Sequence, residues 1–217
     1  MTGVDLYGLA RSVYTRIARL ALEEKGVPYA LHEVEIFGPD GVPAEHLARH
    51  PFGRIPALEH EGFGLYETAA IARYVDEAFG GPALQPRDAR QRARMGQIVG
   101  LLDAYAYRPM VWGVFVERVG QPLRGRAPDE ARIADALATS ERCLVALGAL
   151  APCRPHLLGT DLTLADLHAY PMLRCLSLAP EGAALLRRHQ PLWRWLDAMA
   201  ARPSVQRTRT AYEQAGS

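Results

Sequence analysis

Hydrophobic and polar positions change period several times over the first eighty residues and then settle into one. Residues 4–8, VDLYG, read as a short strand. Residues 12–26 place Val13, Ile17, Leu20 and Ala21 on one helical face and end on glycine. Residues 29–37, YALHEVEIF, alternate and predict a second strand, and a short helix, AEHLARH, follows the turn-rich GPDGVP. PALEHEGFGLY predicts a hairpin turning at Glu61-Gly62. TAAIARYVDEAFGG predicts a helix with Ile71, Val75 and Phe79 on one side and glycine just past its end. The order β-α-β-α-β-β-α implies a small mixed sheet, parallel through one crossover and antiparallel elsewhere.

After the turn-rich stretch GGPALQPRD the pattern is helical throughout, over residues 89–119, 129–150, 164–176, 183–189 and 192–202. The expected organisation is an α/β domain over residues 1–81, a linker at 82–87 and an all-helical domain over 88–217. The polar end, residues 208–217, is expected to fray. Within LTLADLHAY, Thr163 and Asp166 have the spacing of a capping box, each bonding the other's backbone N–H, and Leu162 and Leu167 that of a hydrophobic staple.

Composition narrows the class without naming it. The chain has 217 residues, 49% of them hydrophobic, with a net charge of +1, so no overall field recruits nucleic acid or a membrane surface. No apolar run is long enough to span a bilayer, and the start of the chain lacks a signal-peptide core. Cys143, Cys153 and Cys175 lack a metal-like spacing and suit a reducing, cytoplasmic setting. His46 and His50 lie four apart, but no third ligand is near in sequence, so no metal is expected.

Three stretches carry a likeness: YGLARSVYTR, HPFGRIPA and LYETAAIARY, followed about a hundred residues later by the TLAD capping box. In that order and spacing the chain resembles the cytosolic glutathione transferases along nearly its whole length. Locally it is most similar to serine-type members of the phi class and their bacterial relatives. The resemblance implies a thioredoxin-like domain joined to a helical one, conjugation of glutathione to small hydrophobic electrophiles, a detoxifying role and a cytoplasmic homodimer. Glutathione is then a co-substrate, with no tightly bound cofactor.

The resemblance also assigns residues. Ser12, where the first loop enters the first helix, would donate a hydrogen bond to the thiolate, with Thr15 assisting one turn on; Tyr7, at the strand end, is the alternative hydroxyl. A free thiol of pKa about 8.5 is only about 3% ionised at pH 7. Lowering it by about two units takes about 2.7 kcal/mol, within reach of a charge-assisted hydrogen bond at a helix N-terminus. Ile55, before a cis Pro56, would pair with the cysteinyl backbone; Glu67 and Thr68 would hold the γ-glutamyl ammonium and carboxylate. A His-Lys pair of the phi pattern is replaced by Gly41 and Val42, leaving Arg54 for the glycine carboxylate. Tyr105, Tyr107, Met110, Trp112 and Phe115 would line the electrophile pocket, although an aromatic stripe at helical spacing is also a core pattern. Phe52 would contact a partner subunit. Two other readings stay open: a glutathione-dependent isomerase, dehalogenase or peroxidase of the same fold, and a non-catalytic interaction module. Product analysis separates the first; loss of the hydroxyl or of the Glu-Thr pair would favour the second, and both are present.

Overall fold

The computed structural model describes residues 3–214. The chain forms two compact units, one of residues up to Ala83 together with the segment from Pro203 on, the other Leu84–Arg202.

The first unit contains β1 (Val4–Tyr7), α1 (Val13–Lys25), β2 (Tyr29–His32), α2 (Ala44–Arg49), β3 (Ala57–His60), β4 (Phe63–Tyr66) and α3 (Thr68–Ala78). This is the expected thioredoxin-like order. Its sheet runs β2-β1-β3-β4, with β1 parallel to β2 and antiparallel to β3, and β3 paired to β4 as a hairpin. A parallel pair needs a crossover, and α1 supplies it, ending at Gly26 in the left-handed conformation with φ 67°. Leu6 lies opposite Leu58, and with Ile17 and Leu20 of α1 and Ile71 and Val75 of α3 they are fully buried. Each such side chain contributes about 1.5–3 kcal/mol of hydrophobic stabilisation. Asp5 lies opposite Glu59 on the other face, where Arg49 of α2 reaches Glu59 at 3.0 Å.

β2 is shorter than the alternation over 29–37 suggests. β1 ends at Tyr7, so little strand is left to pair with beyond His32, and the chain leaves the sheet after the Gly8 N–H bonds the His32 carbonyl at 2.9 Å and the Val34 N–H the Gly8 carbonyl at 3.4 Å.

The second unit contains α4 (Ala89–Leu101), α5 (Glu130–Leu150), α6 (Leu164–Leu178), α7 (Pro180–Arg188) and α8 (Gln190–Ala200). The single helix expected over 89–119 widens after Leu101. Leu102–Ala106 and Arg108–Gly120 are π-helical, with the Tyr107 N–H bonded to the Leu102 carbonyl and the Gln121 N–H to that of Val116. Pro109 lies in this stretch; it has no N–H, and its ring crowds the carbonyl four residues back, which loosens the ladder there, although α6 stays α-helical around Pro171. That carbonyl, of Tyr105, accepts from the Cys143 thiol at 3.4 Å.

Asp166 organises the unit. Its buried carboxylate accepts from the Leu157 N–H and the Trp195 indole N–H at 2.8 Å each, the Thr163 N–H at 2.9 Å and the Thr163 hydroxyl at 2.8 Å. The capping box is in place, and it also fastens α8 and the loop before α6.

The end of the chain does not fray as expected through residue 214; residues 215–217 lie outside the described residues. Pro203–Arg207 (α9) and Ala211–Gln214 (α10) are short helices, and Ser204, Val205, Thr208 and Glu213 are buried. Glu213 forms an ion pair with Arg16 of α1 at 2.5 Å, so this segment groups with the first unit instead of the helical domain expected to run to residue 217.

Replacing Asp166 by alanine strands four donors at once. Asp166→Ala is expected to cost about 3–5 kcal/mol of stability, and an unchanged urea midpoint would contradict that account.

Candidate active site

Two helix starts set the chemistry of the first unit. After β1 the chain turns, the Ser12 N–H bonding the Leu9 carbonyl at 2.9 Å. Ser12 is the N-cap of α1: its Oγ accepts from the Thr15 N–H at 3.4 Å and its carbonyl from the Arg16 N–H at 2.9 Å. The cap bond uses a lone pair of the hydroxyl and leaves its proton to be donated elsewhere. Ser12 is half-buried, and no acidic residue occupies the first turn of α1. The hydroxyl therefore stands where backbone N–H groups and the helix dipole favour an anion. Thr15 is fully buried and packs onto Gly8; a Cβ there would lie 2.4 Å from the Thr15 Oγ1.

α3 starts differently. Glu67 is its N-cap residue, at φ 72° and ψ 112°, and its side chain makes no cap bond. A non-glycine residue held there costs about 1–3 kcal/mol, and such strain gathers at functional sites. Thr68 is buried, Ala69 and Ala70 are exposed, and the first turn again holds no acidic residue.

Ile55 links these starts. The Ile55-Pro56 peptide bond is cis, as expected. Among the described residues neither the N–H nor the C=O of Ile55 takes part in a turn or loop hydrogen bond. Its side chain packs with Leu9, three residues before Ser12, and Val34. The preceding loop is held by His46, whose Nε2 bonds the Arg54 carbonyl at 2.7 Å. His50 is buried with its ring centroid 4.7 Å from that of Tyr66, the residue before Glu67, and Phe52 meets both rings edge-on. Burial pushes the His50 imidazole below the usual histidine range, against the pull of Glu67. The side chain of Arg54 is exposed, and among the described residues it forms no ion pair.

Tyr7 is occupied elsewhere. Its hydroxyl donates to Glu59 at 3.0 Å, its ring stacks on His32 with centroids 4.9 Å apart, and the Arg49 guanidinium sits 4.0 Å above it. Burial and then the Glu59 hydrogen bond raise its pKa above the ordinary phenol value.

In the second unit, Met110 is fully buried and Phe115 nearly so, positions of core side chains. Tyr105 is 67% exposed, while Tyr107 and Trp112 are half-buried and joined by a 3.0 Å bond from the indole N–H to the phenol oxygen. Five residues apart, they meet because the helix is π-wound.

Residues 6–83 match the family model described as glutathione S-transferase, N-terminal domain, and residues 130–198 the one described as glutathione S-transferase, C-terminal domain. Glutathione S-transferase 4 of Zea mays is 35% identical over 93% of this chain and 90% of its own. The chain belongs to the glutathione S-transferase family. Among solved structures, that of glutathione S-transferase III in apo form superposes with a TM-score of 0.83 at 29% identity, covering 95% of each chain. Maize glutathione S-transferase I in complex with the atrazine glutathione conjugate superposes at 0.79 with 26% identity, over 95% of this chain and 96% of that one.

In this glutathione S-transferase the sequence motifs contain Ser12, Ile55, Glu67 and Thr68 but say little of the side chains packed around them. Leu9 and Val34, which pack with Ile55, and Tyr66, which precedes Glu67, have no role assigned by the sequence; His50 stands out there only beside His46 as a discounted metal ligand and at the start of HPFGRIPA. The tightest support is Gly8 against Thr15. Gly8→Ala is expected to cost about 1–3 kcal/mol by overpacking. Most of that loss should return when Thr15→Ala is added, a coupling that a double-mutant cycle of denaturation free energies reads directly.

Proposed function

We propose that this glutathione transferase holds the glutathione thiolate with the Ser12 hydroxyl and directs its sulfur at small hydrophobic electrophiles. The observation that carries the reading is the N-cap geometry of Ser12: a hydroxyl whose lone pair is used by the Thr15 N–H, whose proton is free, and whose helix start carries no acidic residue. A thiolate beside that oxygen receives one charge-assisted hydrogen bond and the favourable end of the dipole. Tyr7 is the poorer donor, since its proton is already given to Glu59.

The tripeptide would lie along the three segments described above. The free N–H and C=O of Ile55 suit an antiparallel pairing with the cysteinyl backbone. The γ-glutamyl carboxylate would take the start of α3 with the Thr68 hydroxyl, and Glu67 the ammonium. Arg54 is the cation left for the glycine carboxylate. In the reaction the thiolate sulfur attacks an electrophilic carbon; a leaving group departs with its electron pair, or an activated double bond takes up a proton. The protein's share is ionisation and placement, so no metal or covalent enzyme intermediate is required. The accessible rings of Tyr105, Tyr107 and Trp112 supply apolar surface for the electrophile, which favours conjugation over a purely binding role. Phe52, 71% exposed, suits insertion into a second subunit, in keeping with a homodimer. Among the described residues no helix is long and apolar enough to cross a membrane, and we place the enzyme in the cytoplasm.

Activity should rise with pH through the pKa of the bound thiol. Ser12→Ala should move that pKa, read by thiolate absorbance, up by about one to two units, and lower kcat/KM at pH 7 about tenfold. Tyr7→Phe should leave the bound-thiol pKa where it is; a shift restored by Tyr7→Phe alone would move the role to the strand end. Glu67→Ala should raise KM for glutathione about tenfold or more with a smaller change in kcat. Equal glutathione affinity in that variant would refute the ammonium pairing.

A further inference from the structure

The residues from Pro203 to Gln214 lie along α1 and fasten it by its polar face. Near the C-terminal end of α1, Arg207 pairs with Glu23 at 2.5 Å and Ser204 donates to Glu24 at 2.5 Å. In mid-helix the Arg19 guanidinium reaches the Arg207 carbonyl at 3.5 Å. Closest to Ser12, Arg16 Nη1 bonds Glu213 Oε1 at 2.5 Å, and Nη2 reaches Glu213 Oε2 at 3.3 Å and the Val205 carbonyl at 3.4 Å. Arg16 is also the residue whose N–H closes the first turn on the Ser12 carbonyl.

This end of the strap differs from the other. Arg16 and Glu213 are both all but excluded from solvent, whereas the Arg207 side chain is about half exposed. Exposed pairs contribute little, but a buried two-pronged guanidinium–carboxylate pair fixes orientation as well as distance. Glu213 is itself held, its Oε1 accepting from the Thr210 N–H at 3.2 Å and the Thr210 hydroxyl at 3.0 Å. Burial opposes ionisation of Glu213, yet the Arg16 charge and these hydrogen bonds win and keep its carboxyl below the usual glutamate range. The pair's contribution is therefore complete above that range and is lost only as the pH falls through the depressed value.

We propose that the Arg16–Glu213 pair is a positioning device for the reaction: the C-terminal strap sets the first turn of α1 so that the Ser12 hydroxyl meets the thiolate. The proposal rests on the thiolate role of Ser12. Arg16 and Glu213 do not touch the sulfur; they act through the turn that Ser12 caps. Opposite them, Thr15 against Gly8 holds the same turn to the end of β1, so it is fixed from two sides.

The pKa of the bound thiol tests this, because it belongs to the folded, loaded molecule and does not depend on the fraction that is folded. In the full-length protein saturated with glutathione, Glu213→Gln is expected to raise that pKa by about one unit, cutting the thiolate fraction at pH 7 about threefold. Arg207→Ala, which cuts the strap at its far end, should lower the melting temperature slightly and leave the thiol at its wild-type value. Should Glu213→Gln fail to fold, Glu213→Asp keeps the charge but withdraws it by one methylene, and the same upward shift is expected. A wild-type thiol pKa in whichever of these variants folds would overturn the proposal and reduce the pair to a stabilising latch. An equal shift in Arg207→Ala would also overturn it, by showing that no single pair sets the turn. An unshifted thiol in the wild-type protein would instead remove the Ser12 reading on which the proposal stands, so the two failures are told apart by which protein shows them.

Discussion

The start of α1 meets the end of β1 with no room for a side chain between them. Gly8 is packed by the Thr15 hydroxyl at a distance a Cβ could not share, and from that contact the helix start inherits its place over the sheet edge. Ser12 then begins the helix because its oxygen caps the Thr15 N–H, and Leu9, in the same turn, packs with Val34 and Ile55. One tight contact thus carries the hydroxyl, the loop and the free backbone of Ile55 together. The thiolate hydrogen bond proposed for Ser12 is sensitive to tenths of an ångström, so a rigid join at this point would serve that chemistry as well as the fold.

Several helix starts carry their own negative charge. In the helical unit, α4 and α5 begin on Asp88 and Asp129, whose carboxylates accept from backbone N–H groups, and α6 begins on the Thr163–Asp166 box. Each of these helix starts already has its negative charge. α1 differs: it is capped by the neutral Ser12 hydroxyl with no acidic residue in its first turn, whereas α3 has Glu67 at its N-cap position with a side chain that makes no cap bond. An acidic cap on α1 would add stability, typically about 0.3–1 kcal/mol through the dipole. At the start of α1 an acidic cap would also repel a thiolate. Leaving the start of α1 without a carboxylate forgoes that stability at the place proposed for the thiolate.

How much of this was legible in the sequence follows from what each signal reports. The element order of the first unit, the hairpin at Glu61-Gly62 and the capping box were readable because each depends on residues close in sequence. Strand length was not, since β2 ends where its partner β1 runs out and the alternation of residues 33–37 continues past that point. The widening of the helix after Leu101 had no clear signal: its apolar periodicity fits an ordinary helix, and α6, which stays α-helical around Pro171, shows that a proline alone does not mark it. Glu67 was marked by its place before Thr68, though nothing in its type announces a positive φ. Arg16 and Glu213 lie 197 residues apart, and a polar tail rich in arginine and threonine reads as solvated unless the buried partner is known.

That last failure bears on the site itself. A buried ion pair is a poor source of net stability, because desolvating both charges offsets much of their attraction, and an apolar pair of similar volume would serve a core as well or better. What a guanidinium and a carboxylate offer that leucines do not is direction: two bonds in one plane, and a large penalty for any arrangement that parts them. Direction matters most where a helix must be kept from sliding or turning about its axis. α1 carries its apolar stripe against the sheet and α3, which fixes depth but tolerates small rotations. The Arg16–Glu213 bonds act on the opposite face, one turn from Ser12, and oppose the rotations that the stripe allows. A hydrophobic strap would have held the helix down; this one also holds it in register.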